Sequence, residues 1–329
     1  MLFVLSIGLT FCTPDDIEPV NHEVGWFPEN PVNITDLNTQ YDDYNSNINI
    51  VGKRINLYYS TNKETQGDNF DISSRCIDAF LNLDTDEFQF SVSNSDARYA
   101  FDLLPIINTE FDEYGPFLFY SDSLDNAHTW WYFMYANNEN ENFDIRFTYA
   151  NNGDWGSWDS EQQIFGSFEA NVLNSEYDDY YPTINTDYSK MYFSSNRGQN
   201  FDIYEINMDF ENIVDWLKSG INKPTKQLTL SSSYDDKCPY IKGSLMVFAS
   251  NNPAGYGGYD LWYSVFEAGK WQTPQNFGAE INTEFDEYRP AIENFPDSNN
   301  DLMIFSSNRP NGKGGYDLYY TGISKMINE

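Results

Sequence analysis

Ile281-Asn282-Thr283-Glu284-Phe285-Asp286-Glu287-Tyr288-Arg289-Pro290-Ala291-Ile292 is followed by Met303-Ile304-Phe305-Ser306-Ser307-Asn308-Arg309, and then by Gly314-Gly315-Tyr316-Asp317-Leu318-Tyr319-Tyr320. Three short apolar runs stand here in a fixed order. The first follows an acidic pair and a proline, the second ends in a small residue and Asn, and the third opens aromatic-Asp-aliphatic. Short runs rich in aromatic and β-branched residues, bounded by Gly, Asn, Asp and Pro, read as β-strands joined by tight turns.

The same order returns five times. The acidic motif stands at Tyr41-Asp42-Asp43, Phe111-Asp112-Glu113, Tyr177-Asp178-Asp179, Tyr234-Asp235-Asp236 and Phe285-Asp286-Glu287. Pro116, Pro182, Pro239 and Pro290 follow four of them, and Ser46 takes that place in the first. The second run closes on Asn62, Asn137, Asn196, Asn251 and Asn308. The third opens at Phe70-Asp71, Phe143-Asp144, Phe201-Asp202, Tyr259-Asp260 and Tyr316-Asp317. Each unit supplies three or four short strands, which describes a propeller blade. The fold class predicted is all-β, a five-bladed β-propeller.

The last unit stops after its third strand, near Ile323, and its missing strand is found at the start of the chain. Gly25-Trp26-Phe27-Pro28 with Leu37-Asn38-Thr39 parallels Gly269-Lys270-Trp271-Gln272-Thr273-Pro274 with Ile281-Asn282-Thr283. Residues 25–39 are therefore expected to complete blade five, closing an edge that would otherwise invite aggregation. Blades are expected to begin near 40, 110, 176, 233 and 284, with the propeller spanning 25–329 and a signal and linker segment over 1–24.

Pro-x-Ile, Phe-Ser-Ser-Asn-Arg and Gly-Gly-Tyr-Asp-Leu-Tyr-Tyr together resemble the WD-repeat-like propeller repeat of the TolB type. The form with Ile-Asn-Thr-Glu-Phe-Asp-Glu-Tyr resembles that of Bacteroidetes envelope lipoproteins. The resemblance covers roughly residues 25–323, and it implies protein binding in the cell envelope without naming a ligand.

The 329 residues carry a net charge of −33, which disfavours nucleic acid and anionic headgroups and suits cations or cationic partners. With only His22 and His128, and with Cys12, Cys76 and Cys238 in no zinc spacing, a His-rich metal site or a Ser-His-Asp triad is poorly supported. The apolar run Leu2–Phe11 is too short to span a bilayer and reads as a signal segment. Leu9-Thr10-Phe11-Cys12 resembles a lipobox, which makes Cys12 the expected lipidation site and the lipid the only membrane attachment. The expected location is the outer membrane, on its periplasmic or surface face, or secretion.

Features present in every blade are expected to be architectural. The acidic pairs are the exception. Preceding the innermost strand, Asp42/Asp43, Asp112/Glu113, Asp178/Asp179, Asp235/Asp236 and Asp286/Glu287 are expected to ring one channel mouth. Two such charges about 8 Å apart repel by roughly 2 kcal/mol at an effective dielectric of 20, so something must offset them. A bound cation, with Ca²⁺ suited to hard oxygen ligands, is set against hydrogen bonds from the backbone of an adjacent blade. Asymmetric positions are the sharper pointers: Asn45, Gly115, Tyr181, Cys238 and Arg289 before the proline, and Lys237 where other blades have an aromatic. Trp130 and Trp131, in a segment special to blade two, are candidates for carbohydrate or protein contact, with a hairpin core as the equal alternative. No catalytic residue is singled out. The functional expectation is a non-catalytic envelope scaffold with a protein partner, set against an arabinanase-type glycosidase or a glycan-binding surface protein.

Overall fold

A computed structural model describes residues 27–326 apart from 29, 52–53, 83, 86, 98–99, 123–128, 152–163, 221–223 and 296–297. Cys12, Trp26 and His128 lie outside the described residues.

Five antiparallel sheets succeed one another along the chain. Blade one is built from Asp43–Val51, Arg54–Thr61, Asp71–Asn82 and Glu87–Val92, and blade two from Glu113–Asp122, Thr129–Asn140, Asn142–Asn151 and Ile164–Glu169. Blade three holds Asp179–Ile184, Lys190–Ser195, Asp202–Asn207 and Thr225–Lys226. In blade four Asp236–Lys242, Leu245–Ser250 and Asp260–Glu267 are followed by the short strands Lys270–Trp271 and Gln275–Asn276. Glu287–Glu293, Asn300–Ser307 and Asp317–Ser324 form blade five, and its fourth strand is Val32–Asn33. The first strands of successive blades touch one another around the ring, so they are the inner strands.

The closure follows from pairing seen elsewhere in the molecule. Val32 pairs with Tyr320 and Asn33 with Tyr319. Asn38 exchanges two bonds with the Leu318 backbone, as Asn282 does with Leu261 one blade earlier. Phe27 stacks on Phe88 of blade one at 3.9 Å between ring centres, so the same segment also ties blade five to its neighbour.

A blade's second strand is covered on both faces by adjacent blades. Leu245–Ser250 is buried at every position, and Arg54–Thr61 at every position after the first. That explains why these strands read as unbroken apolar runs rather than alternating ones. Burying one side chain such as Phe248 or Phe305 contributes about 1.5–3 kcal/mol. Two short helices, Ala100–Ile107 and Ile213–Ser219, were not anticipated by the all-β reading. Leu103 and Ile107 of the first, and Trp216 and Leu217 of the second, are buried against the sheets. Gly220, at φ 63, ends the second. Among the described residues, no helix is long and apolar enough to cross a membrane.

Candidate binding site at the channel mouth

Every inner strand carries a bulge at the same place. Pairing with the second strand slips between Tyr44 and Asn47, Tyr114 and Phe117, Tyr180 and Thr183, Lys237 and Tyr240, and Tyr288 and Ala291. The residue within each slip has positive φ: Asn45 57, Gly115 61, Tyr181 55, Cys238 57 and Arg289 45. Non-glycine residues rarely adopt this conformation, and four of the five are not glycine. The proline that follows sits where no ladder hydrogen bond is needed from it. Serines of the neighbouring blade hold two of the bulge amides, Ser306 accepting from Asn45 N (3.1 Å) and Ser194 from Cys238 N (2.9 Å).

The bulge side chains fill the channel. Asn45, Cys238 and Arg289 are fully buried and Tyr181 nearly so. The Arg289 guanidinium reaches from blade five to the Pro116 carbonyl of blade two (3.1 Å) and the Pro239 carbonyl of blade four (3.4 Å). It also lies over the Tyr181 ring of blade three, 5.0 Å from its centre. Among the described residues no carboxylate pairs with it. Burial presses its pKa downward. Of the two candidates from this position expected at the mouth, Arg289 is buried below it, where its long side chain plugs the axis, while Tyr181 lines the pocket as its floor.

Above this plug stands a collar of alternating residues from the inner strands and from the openings of the third strands. Successive ring centres lie 5.4 Å apart for Tyr316–Tyr44, 5.0 Å for Tyr44–Phe70, 5.1 Å for Phe70–Tyr114 and 5.0 Å for Tyr114–Phe143. The series continues at 4.7 Å for Phe143–Tyr180 and 5.7 Å for Tyr180–Phe201. Lys237 then takes the place of a ring, its Nζ 3.9 Å from the centre of Phe201 and 5.2 Å from that of Tyr259. Tyr259 meets Tyr288 at 5.2 Å. The collar surrounds a cavity of about 330 Å³, within the range of small-ligand pockets. A second cleft, about 290 Å³, lies within blade four alone and joins no residues from different blades.

The acidic pairs support this collar rather than line an open ring. The first carboxylate of each pair accepts the backbone N–H that opens the third strand of the preceding blade. Tyr316 donates to Asp42 (2.7 Å), Phe70 to Asp112 (2.9 Å), Phe143 to Asp178 (3.1 Å), Phe201 to Asp235 (3.0 Å) and Tyr259 to Asp286 (2.9 Å). Each of these aspartates donates its own N–H to a strand-end Asn: Asn62, Asn138, Asn196, Asn251 and Asn308. In blade two that residue is Asn138, one position beyond the expected Asn137.

The second carboxylates, Asp43, Glu113, Asp179, Asp236 and Glu287, are fully or almost fully buried. Each closes a turn by accepting from the residue four positions earlier: Thr39, Thr109, Ser175, Ser232 and Thr283. Arg197 and Arg309 add ion pairs to Asp179 (2.6 Å) and Glu287 (2.9 Å). Burial raises the pKa of all five, and that of Glu113, which has no such arginine, to about 7. The pairs thus do not converge as one open ring of carboxylates: each carboxylate accepts from a backbone amide, the arrangement set against the cation in the sequence reading. Among the described residues, no group of three or more His, Cys, Asp or Glu is arranged to hold a metal ion.

Trp131 is fully buried in the core between blades one and two. Trp130 is half-buried against Tyr149 and Phe165, so the structure places both in the hairpin of their strand rather than on a platform.

The remaining polar groups of the pocket are phenols, one lysine and the half-buried rim aspartates. Burial raises the pKa of Tyr44, Tyr180 and Tyr288, and that of Tyr114 to about 12, so these hydroxyls stay neutral donors. Tyr259 and Tyr316 donate to Asp235 (2.8 Å) and Asp286 (2.7 Å). Desolvation lowers the Lys237 pKa, opposed by Asp235 at 4.0 Å. Lys237 stands where the other blades carry Tyr44, Tyr114, Tyr180 and Tyr288, and nothing in its sequence neighbourhood shows that Phe201 and Tyr259 will flank it.

No family model matches the chain, and no curated protein matches it. Solved structures do match. An endo-arabinase from Bacteroides thetaiotaomicron superposes with a TM-score of 0.53 at 12% identity, over 91% of this chain and 99% of that one. A thermostable family-43 glycoside hydrolase gives 0.50 at 14% identity, over 87% and 92%. An exo-β-1,3-galactanase from Phanerochaete chrysosporium gives 0.51 at 13% identity, over 90% of this chain and 65% of that one. At these identities the likeness concerns the fold, a five-bladed propeller. The neighbours are glycoside hydrolase propellers rather than TolB-type or WD-repeat ones. The expectation of a non-catalytic envelope scaffold is corrected here: it rested on the TolB-type resemblance, whereas the fold neighbours are glycoside hydrolase propellers, the architecture of the alternative set against it.

Proposed function

We propose that this protein is a carbohydrate-active propeller whose collar takes a saccharide. The observation that carries the reading is the ring of six tyrosines and Phe201 around one pocket, Tyr44, Tyr114, Tyr180, Tyr259, Tyr288 and Tyr316, with phenol hydroxyls among apolar faces. A sugar presents both kinds of surface, C–H faces that stack on rings and hydroxyls that need donors and acceptors, and Tyr offers both. The floor of Tyr181 over Arg289 makes the site a pocket instead of a through-channel.

Arabinan and β-1,3-galactan oligosaccharides, the polymers indicated by the neighbours' names, are the first ligands to titrate. Tyr180→Ala and Tyr288→Ala are each expected to weaken binding about tenfold, about 1.4 kcal/mol. Saturable binding that these substitutions leave untouched would place the site elsewhere.

Hydrolysis is the second reading, and the observation favouring it is that Asp178 lines the pocket with Asp235 across Lys237. Glycoside hydrolysis needs two carboxylates flanking the bond. Release of reducing ends from arabinan or galactan, lost in Asp178→Asn, supports it; intact polymer after prolonged incubation removes it. Lipid attachment at Cys12, with an outer-membrane place, is proposed on sequence alone. Fatty-acid labelling that persists in Cys12→Ala removes it.

A further inference from the structure

We infer that the saccharide taken at the collar carries a protonated amine, an amino sugar. This rests on the saccharide reading above and specifies its class. The chain itself shows what the collar does with a cation: the Lys237 ammonium is seated between the faces of Phe201 and Tyr259, with Asp235 Oδ2 at 4.0 Å. Aromatic faces attract an ammonium, and the attraction strengthens as water is excluded. Among the described residues, those two rings and that carboxylate are the groups that hold the ammonium.

Fivefold repetition multiplies the niche. Each inner-strand residue of the collar stands beside third-strand rings and near a rim aspartate, Asp42, Asp112, Asp178, Asp235 or Asp286. Lys237 occupies one niche with its own charge, and the other four hold neutral Tyr44, Tyr114, Tyr180 and Tyr288. Asp178 lines the pocket and the other four aspartates hold the third-strand amides of the collar, so five half-buried carboxylates stand against one collar lysine and leave the mouth negative in a chain of net charge −33. A uronate or sulfated sugar would enter against that field, and a neutral one would gain nothing from it. An amine placed over Tyr180 or Tyr288 gains from both rings and carboxylates.

The test titrates the whole chain at low salt with three oligosaccharides of equal length: glucosamine, N-acetylglucosamine and galacturonic acid. The glucosamine oligomer is expected to bind at least about tenfold more tightly than the N-acetylated one, and to weaken with added salt. Lys237→Tyr places in blade four the residue that the other four blades carry, so the fold accommodates it. Removing the resident cation is expected to tighten glucosamine binding several-fold. Equal affinity for the three oligomers, or a preference for galacturonate that Lys237→Tyr abolishes, overturns the inference while leaving the saccharide reading standing. If none of the three binds, and arabinan and galactan oligosaccharides do not bind either, the saccharide reading falls and takes this inference with it.

Discussion

The ring of Tyr181 occupies the space that a side chain at position 115 would need: a Cβ on Gly115 would lie 2.3 Å from its Cδ1. Gly115 is also at φ 61, where an L side chain is strained. The one glycine among the five bulges thus stands opposite the largest aromatic that fills the axis. Gly115→Ala is expected to lower stability by about 1–3 kcal/mol, measured by chemical denaturation. In a Tyr181→Ala background the clash disappears and only backbone strain remains, so a double-mutant cycle should show a favourable coupling of about 1 kcal/mol or more. Additive effects would mean the two side chains do not compete for one space.

Arg289 tests the plug. Its charge has no carboxylate partner among the described residues, while its stem and guanidinium fill the axis against Pro116, Pro239 and Tyr181. Arg289→Ala leaves a cavity and two carbonyls without their donor, and is expected to cost about 2–4 kcal/mol. Arg289→Met keeps volume and removes the buried charge, so it should cost clearly less. Equal losses in the two variants would show that the charge matters more than the filled space.

Glu113 makes stability depend on pH. Burial raises its pKa to about 7 in the folded protein from an ordinary 4.5, against the bonds from Thr109 and Asn137. The folded state then holds a proton that the unfolded chain releases between these values. Its contribution is complete below about pH 4.5 and is lost as pH rises through about 7. Melting temperature followed from pH 5 to 8 should fall more steeply in the native sequence than in Glu113→Gln, which holds the neutral form throughout. Parallel profiles for the two proteins would refute the assignment.

Closure can be removed directly. A chain beginning at residue 40 lacks Val32–Asn33 and the Asn38–Leu318 bonds, and exposes the outer edge of Asp317–Ser324. Such an edge is a template for another chain. The truncated protein is expected to lose its cooperative melting transition or to elute as oligomers in size-exclusion chromatography. A monomer melting at the native temperature would show that the seam contributes little.

The blade count and the split fifth blade were legible because each is written several times over. Leu37-Asn38-Thr39 repeats Ile281-Asn282-Thr283, and the two Asn residues make the same pair of bonds. The carboxylates were misread for a physical reason. Adjacency in sequence shows charge but not that an amide from the preceding blade, such as Tyr316 N for Asp42, will meet it. One half of the answer was visible: a Ser or Thr stands four residues before every second carboxylate. The helix over Ala100–Ile107 also had its signal, apolar Ala100, Leu103, Leu104 and Ile107 at helical spacing, which an all-β expectation passes over. The collar needed coordinates, because Tyr180 and Phe201 belong to different strands and meet only once the blade is folded.

Asn33 and its partner Asp317 are 284 positions apart. A ribosome adding 5–20 residues per second would separate their emergence by roughly 15–60 s. Late in that interval the nascent chain carries four complete sheets, and its N-terminal ribbon has waited with nowhere to dock. Birth order and spatial order therefore conflict at one place in this molecule, and any chaperone that handles the unfinished chain must deal with that place first.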